Sequence, residues 1–130
     1  MEYYVTIMWE IETTHRWEKD HKHYEKKRPD ELAAVTNNLH RYLKILEVSK
    51  NSKCVQAGYL HPEPGGVVAI DQKAGGGNLQ ETRLYTYADD ETRILYLLTI
   101  GDKAAQDSDI EYCKSAVNEL RRQKETNEEH

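Results

Sequence analysis

The stretch "ILYLLTIGDKAAQDSDI", residues 94–110, passes from an apolar run through a polar corner into a new amphipathic segment. Its first seven residues are apolar on both faces of an extended chain, which predicts a central strand covered on each side of the sheet. The run ends at Gly101, and Lys103 follows in the corner. Ser108 and Glu111 have the S-x-x-E spacing of a capping box, which predicts the start of a C-terminal helix. This one stretch therefore predicts a buried strand, a turn and a helix in succession.

Further strands are predicted upstream, where short apolar runs are separated by residues that favour turns. In residues 3–11 every odd position is apolar, which is the period of a half-buried strand. The later strand candidates are residues 55–60, 66–71, 80–87 and 93–100. The three consecutive glycines at 75–77 precede a strand and not a helix, so they predict a flexible hairpin loop instead of a phosphate-binding loop.

Two helices are predicted between the first strand and the others. Thr13 and Thr14 offer side-chain oxygens that can cap a helix running to about Lys27. Pro29 suits the first turn of a second helix ending near Ser49, because the N–H that proline lacks would be unpaired there. The apolar residues of this second helix recur at helical spacing and form one stripe: Leu32, Val35, Leu39, Tyr42, Leu43 and Leu46.

This order of elements predicts a single α+β domain over residues 1–124, followed by a polar tail at residues 125–130. The domain comprises an N-terminal strand, two helices, a three- to four-stranded, mainly antiparallel sheet and a C-terminal helix. We expect both N-terminal helices to pack on one face of the sheet.

Charge and cysteine content narrow the class of protein. The 130 residues carry a net charge of −5, whereas proteins that bind nucleic acid through bulk electrostatics have a basic excess. Basic side chains are nevertheless concentrated at residues 16–28. Cys54 and Cys113 lie far apart and form no CxxC pair, so we expect reduced thiols and a cytoplasmic protein. No run reaches the ~18 apolar residues of a membrane span, so we expect a soluble protein with no membrane partner.

A longer segment, "TRLYTYADDETRILYLLTIGDKAAQDSDIEYCKSAVNEL" at residues 82–120, resembles a known family. Together with the order of elements, it is similar to the RelE/ParE superfamily of toxins from bacterial toxin–antitoxin pairs. Members have an Arg at the start of a strand, a turn and a second apolar strand. One branch, the addiction-module killer proteins, continues with a GDKxxQxxDI segment. The matching positions in this sequence are Arg83, the run at 94–100, Gly101, Asp102, Lys103, Gln106, Asp109 and Ile110.

The resemblance implies cleavage of messenger RNA, usually on the ribosome, without a metal or other cofactor. The 2′-hydroxyl of the RNA is the nucleophile, so the site must accept its proton, stabilise the phosphorane and protonate the leaving oxygen. By this resemblance Arg83 contacts the scissile phosphate and Lys103 the same or a neighbouring phosphate, at one end of the sheet. His61 and Glu81 are the candidates for proton transfer, with His61 first because an unperturbed histidine titrates near neutral pH. The predicted substrate-binding residues are Gln106 and Lys73.

Other interpretations of the same residues stay open. Active family members are typically basic, and several carry a Tyr or His after the last strand that residues 104–109 lack. These departures favour a non-enzymatic binding protein of the same fold, either a ParE-like gyrase inhibitor or an inactive member. Gln106 and Asp109 also suit caps of the last helix, and Arg83 and Lys103 suit surface positions beside strand ends. In each case the expected partner is a cognate antitoxin, to which an enzyme adds messenger RNA and the ribosome.

Overall fold

The chain folds into five strands and three α-helices within residues 9–128, the part that the computed structural model describes. The strands are β1 (Glu10–Thr13), β2 (Leu60–Pro62), β3 (Val67–Asp71), β4 (Thr82–Asp89) and β5 (Ile94–Asp102). The helices are α1 (His15–Lys27), α2 (Pro29–Val48) and α3 (Gln106–Glu128), with short 3-10 helices at Ser52–Cys54 and Pro64–Gly66. The order of strand, two helices, four strands and helix confirms the predicted α+β class.

The five strands form one sheet in the order β1–β5–β4–β3–β2. β1 runs parallel to β5, and the other three neighbouring pairs are antiparallel. The sheet is therefore mixed, with the predicted antiparallel majority. β5 is an interior strand, because β1 continues the sheet beyond it, and β4 takes the middle position.

A bulge in β5 explains how its apolar residues serve both faces of the sheet. Tyr85 of β4 pairs with Thr99, but the next residue, Thr86, pairs with Leu97, so Leu98 is an extra residue in β5. Without this insertion Ile100, three positions after Leu97, would face the opposite side. With it, Ile100 and Leu97 enter the same core, while Leu98 enters the other.

Each face of the sheet carries its own core. α1 and α2 cover one face, as predicted, and their core includes Trp17, Val35, Tyr42, Leu46, Ile70, Leu84 and Leu95. α3 covers the other face, which we call the α3 face, and its smaller core consists of Val67, Ala69, Tyr85, Leu98, Cys113 and Val117. The second core leaves part of the α3 face to polar side chains.

The two N-terminal helices begin where the sequence predicts. The Thr14 side chain accepts a hydrogen bond from Trp17 N at 3.0 Å and caps α1. Its hydroxyl also donates to Leu98 O at 2.6 Å, which ties the start of α1 to the bulge of β5. Pro29 occupies the first turn of α2, as expected from its missing N–H.

The predicted capping box of the last helix is wrong. α3 begins at Gln106, so Ser108 and Glu111 lie inside the helix. The Ser108 hydroxyl donates to Ala105 O at 3.0 Å instead of accepting from a helix N–H. Asp102 takes over part of the capping role, since its Oδ1 accepts from Ala105 N at 3.0 Å. The S-x-x-E pattern misleads because the turn after β5 is short and the helix starts before the serine.

The strand boundaries were predicted less accurately than the helices. Residues 55–60 were expected to be extended throughout, but β2 covers only Leu60–Pro62. Within the described sheet β2 is an edge strand that pairs with β3 over three residues, and its final proline has no N–H to extend the ladder. The predicted strand at 3–11 overlaps β1 only at its end, since residues 1–8 lie outside the described residues.

The glycine-rich loop and the C-terminal end of the chain can also be compared with the sequence predictions. The glycines at 75–77 lie in the loop between the antiparallel strands β3 and β4, as predicted. α3 remains helical to Glu128, beyond the start of the predicted polar tail. Among the helices within residues 9–128, none is both long and apolar enough to cross a membrane.

Candidate active site

The α3 face carries a cluster of charged side chains where β3 ends and β4 begins. Asp71 pairs with Arg83 across these strands, and His61 of β2 pairs with Ala69 of β3. Alternate residues of a strand share a face, and both Ala69 and Tyr85 belong to the core beneath α3. His61, Asp71 and Arg83 therefore all project from the α3 face.

Arg83 is held between two carboxylates. Its Nη1 lies 3.4 Å from Glu63 Oε1, and its Nη2 lies 3.5 Å from Glu81 Oε1. Close charge-assisted bonds between nitrogen and oxygen are about 2.7–2.9 Å long, so both contacts are loose. The Arg83 side chain is 19% exposed, and its buried Nε has no hydrogen-bond partner among the described residues. An anion therefore reaches the guanidinium only by replacing one of the two carboxylates.

His61 forms the shortest polar contact of the cluster. Its Nε2 lies 2.6 Å from Asp71 Oδ2, and the Asp71 side chain is only 4% exposed. The other oxygen of Asp71 accepts from Lys73 N at 2.8 Å, and Lys73 Nζ lies 3.5 Å from Oδ2. The imidazole is half-buried, with one edge against this carboxylate.

Asn38 supports this arrangement from the opposite face of the sheet and is not among the sequence-predicted site residues. Its buried Nδ2 donates to Asp71 O and Lys73 O, each at 2.9 Å, and so fixes the end of β3. Its Oδ1 accepts from Arg41 Nη1 at 3.1 Å. The available signal is a single amide within the apolar stripe of α2, which indicates a buried polar contact.

Tyr85 adds a neutral hydroxyl to the floor of the cluster. The residue is fully buried, and its hydroxyl makes no hydrogen bond to any described residue. Burial, assisted by the Asp109 carboxylate and opposed by Arg83, raises the pKa of Tyr85 well above its ordinary value of 10.0. The hydroxyl therefore keeps its proton at physiological pH and can donate it to an oxygen acceptor.

The GDKxxQxxDI segment has a packing role in this structure. Gly101 lies against Asp109, and a Cβ at Gly101 would overlap the Asp109 carboxylate. Asp109 Oδ1 accepts from Arg16 Nη2 of α1 at 2.7 Å, while Oδ2 has no hydrogen-bond partner among the described residues. Desolvation raises the pKa of Asp109 to about 6, although Arg16 opposes the shift. Asp109 therefore links α3 to α1, which neither the phosphate-site interpretation nor the capping interpretation of this segment predicts.

The structure brings some of the sequence-predicted site residues together and places others apart. The α3-face cluster contains His61, Lys73, Glu81 and Arg83. Lys103 and Gln106 lie in the corner between β5 and α3, where Gln106 N donates to Lys103 O at 3.2 Å. Lys103 is exposed and forms no ion pair with another residue between 9 and 128. Because Arg83 pairs with Gly101, Lys103 follows at the same end of the sheet, as predicted.

The cluster combines groups that can transfer protons with a cation that is shared among carboxylates. Three carboxylates, those of Glu63, Asp71 and Glu81, surround the two cations Lys73 and Arg83. A histidine paired with a carboxylate and next to a guanidinium combines a proton acceptor with a stabiliser of negative charge. In the described part of the chain, no three His, Cys, Asp or Glu side chains are grouped to hold a metal ion.

Comparison with known proteins gives no family for the chain. No family model matches it, and no curated protein matches it.

Proposed function

We propose that this protein is the toxin of a type II toxin–antitoxin pair and that it cleaves messenger RNA without a metal ion. The observation that best supports the proposal is Arg83 next to the His61–Asp71 pair on a half-open face of the sheet. The resemblance of residues 82–120 to the RelE/ParE superfamily favours RNA among the phosphodiesters that such a site can accept.

In the proposed reaction the 2′-hydroxyl of one nucleotide attacks the adjacent phosphate, and the bond to the 5′-oxygen breaks. His61 accepts the proton of the 2′-hydroxyl. Glu81, released when Arg83 binds the phosphate, takes up a proton from water and passes it to the departing 5′-oxygen. Arg83 leaves one of its carboxylates and binds the phosphate, whose negative charge grows in the phosphorane. A donor of this kind typically contributes ~10²–10³ in rate. The products are a 2′,3′-cyclic phosphate and a 5′-hydroxyl.

The remaining predicted residues then act on the RNA around the scissile phosphate. Lys103 is exposed at the same end of the sheet as Arg83, where its ammonium can pair with the same or a neighbouring phosphate. Lys73 and Gln106 provide further polar contacts to the strand. In the proposed setting, the bacterial cytoplasm, a cognate antitoxin keeps the toxin inactive and the ribosome presents the message.

A second candidate is a non-enzymatic binding protein of the same fold, such as a ParE-like gyrase inhibitor. Glu63 and Glu81 favour it because together they neutralise the guanidinium that an RNA phosphate would need. The net charge of −5 acts in the same direction, since it repels a polyanion.

Controlled induction in a bacterial host, with mapping of messenger RNA ends, separates the two candidates. The proposed nuclease arrests growth and produces new RNA ends that carry a 5′-hydroxyl. Arg83→Ala should abolish both effects while circular dichroism shows a folded protein. Arg122→Ala is the matched control, because Arg122 lies exposed on α3 and its ion pair is with Glu119 of the same helix.

Each result that contradicts these expectations shows which part of the proposed function is wrong. Growth arrest without new RNA ends rejects the nuclease in favour of the binding protein. A folded Arg83→Ala protein that still arrests growth and cuts RNA shows that another residue binds the phosphate.

A further inference from the structure

The hydrogen bonds around Asp71 determine which nitrogen of His61 carries the proton. Asp71 Oδ1 accepts from Lys73 N at 2.8 Å, and Oδ2 faces both His61 Nε2 at 2.6 Å and Lys73 Nζ at 3.5 Å. Among residues 9–128, every polar partner of the carboxylate other than the imidazole is a donor. An ionised carboxylate can only accept hydrogen bonds. At 2.6 Å the imidazole must therefore donate through Nε2, because an unprotonated Nε2 would set two lone pairs against each other.

The neutral imidazole has one protonated and one unprotonated nitrogen. With the proton on Nε2, the lone pair is on Nδ1, which makes no hydrogen bond to any residue from 9 to 128. His61 is half-buried, so this nitrogen can be reached from the α3 face. The proton acceptor offered to a ligand is thus Nδ1.

Asp71 is well placed to enforce this state because its own position is fixed. The residue closes β3 opposite Arg83, and its backbone carbonyl accepts from Asn38 Nδ2 of α2 at 2.9 Å. Its side chain is almost completely buried. His61, in contrast, belongs to a three-residue edge strand with a single neighbour. The carboxylate therefore orients the ring, and not the reverse.

We propose that Asp71 is the positioning residue of His61: it holds the imidazole proton on Nε2 and presents Nδ1 as the nitrogen that accepts the proton of the RNA 2′-hydroxyl. The second half of this statement rests on the function proposed above. The first half, the tautomer and its cause, concerns the protein alone. The substrate's proton moves from the 2′-oxygen to Nδ1, and the imidazolium so formed is stabilised by the Asp71 carboxylate.

Nitrogen-15 NMR of the full-length protein tests the tautomer directly. The ring signals of His61 are assigned by their loss in His61→Gln and recorded in mildly alkaline buffer. Wild-type protein should show a protonated Nε2 and an unprotonated Nδ1. Asp71→Ala should return His61 to the mixture of tautomers of a freely rotating imidazole. His21 pairs with Glu25 on the surface of α1, so its signals should stay unchanged and provide an internal control.

Two results would overturn the proposal: a proton on Nδ1 in wild-type protein, or an unchanged His61 tautomer in Asp71→Ala. If Asp71→Ala does not fold, the wild-type spectrum still decides the first point, and Asp71→Val replaces it for the second, because valine suits a strand and has no acceptor for the Nε2 proton. Asp71→Asn is kept for kinetics, since its amide can receive the Nε2 proton but cannot stabilise an imidazolium.

Kinetics separate this proposal from the proposed function. If the protein cleaves RNA, Asp71→Asn should lower kcat roughly 10²-fold with little change in KM, since the proton transfer and not the binding is affected. A protein with the expected tautomer but no cleavage of any RNA rejects the nuclease and leaves the role of Asp71 intact. Cleavage with an undiminished kcat in Asp71→Asn rejects the positioning role and leaves the nuclease intact.

Discussion

Gly101 is a position where the absence of a side chain decides the local structure. It pairs with Arg83 in the sheet, and the Asp109 carboxylate occupies the space that a Cβ would take. The contact lets the first turn of α3 approach β5 closely enough for Asp109 to reach Arg16. The glycine and the aspartate of the GDKxxQxxDI segment are thus a single packing unit.

Gly101→Ala should lower the free energy of unfolding by about 1–3 kcal/mol, the usual cost of overpacking a closely packed site. Gly58→Ala is the control, because Gly58 has nothing within 4 Å of the added Cβ and needs no positive φ. Urea unfolding followed by circular dichroism measures both. Equal stabilities of the two variants would show that Asp109 moves aside without cost.

A second prediction about single residues concerns Glu63 and Glu81, the two carboxylates beside Arg83. Glu63→Gln and Glu81→Gln each remove a competitor of the phosphate, so each should tighten the binding of single-stranded RNA. We expect a Kd lower by roughly 1.4-fold to fivefold, since one partly exposed ion pair is worth about 0.2–1 kcal/mol. Fluorescence anisotropy of a labelled oligonucleotide measures the effect. Glu119→Gln on the exposed face of α3 controls for net charge, and an equal gain there would mean that Arg83 has no special role.

At the scale of elements, Thr14 joins α1 to the sheet. Its hydroxyl oxygen accepts from Trp17 N and donates to Leu98 O at the bulge of β5. Thr14→Ala should therefore cost about 1–2 kcal/mol, at or above the usual value for an N-cap. Thermal unfolding compares it with Thr13→Ala, whose hydroxyl contacts only Glu18 at the surface. A control that is equally destabilised would locate the effect in β1 and not in the cap.

The elements also show how far the sequence alone could predict this structure. α1 and α2 were predicted closely because a cap, a proline and an apolar stripe are local signals, encoded within a few residues. The length of β2 was not predicted, because it depends on the strand that pairs with it. The start of α3 was not predicted either, because the turn before it sets where the helix begins. The bulge at Leu98 depends on both cores at once and leaves no local pattern.

The residues of the candidate site also divide into those that the sequence predicts and those that it does not. Arg83 and His61 could be selected as chemical candidates from residue type and resemblance, but their common face follows from the register of β2, β3 and β4. Asp71 and Asn38 were not selected, because each acts through a residue distant in sequence. Their roles become visible only when the strands are paired.

At the scale of the whole molecule, an ion pair between a partly exposed guanidinium and a buried carboxylate connects the helices on opposite faces of the sheet. Arg16 of α1 contacts Asp109 of α3, and Asp20 of α1 accepts from the Thr99 hydroxyl of β5 at 2.6 Å. β1 pairs with β5 as far as Leu97. The contacts between the two helices lie beside the last residues of β5, past the end of β1. Removing one partner of such a pair leaves a buried charge, so the pair makes the two faces depend on each other.

The same carboxylate should make the stability of the protein depend on pH. Desolvation raises the pKa of Asp109 from 3.8 to about 6, with Arg16 lowering it and Asp20 and Asp102 raising it. Between these two pH values the folded protein holds a proton on Asp109 that the unfolded chain has released. The free energy of unfolding should therefore rise as the pH falls from 7 to 4, by about 1–3 kcal/mol, and this gain is lost as the pH rises through 6.

Asp109→Asn tests this dependence, because it keeps the size of the side chain and removes its titration. Urea unfolding between pH 4.5 and pH 7.5 should give a smaller rise in stability at acidic pH for this variant than for wild-type protein. Asp107→Asn changes an exposed carboxyl two residues earlier in α3 and should retain the full rise. The other ionisable groups are common to the three proteins, so their contributions cancel in the comparison. If Asp109→Asn and Asp107→Asn show the same pH dependence, Asp109 is already ionised throughout this range and the Arg16 pair outweighs the cost of its burial.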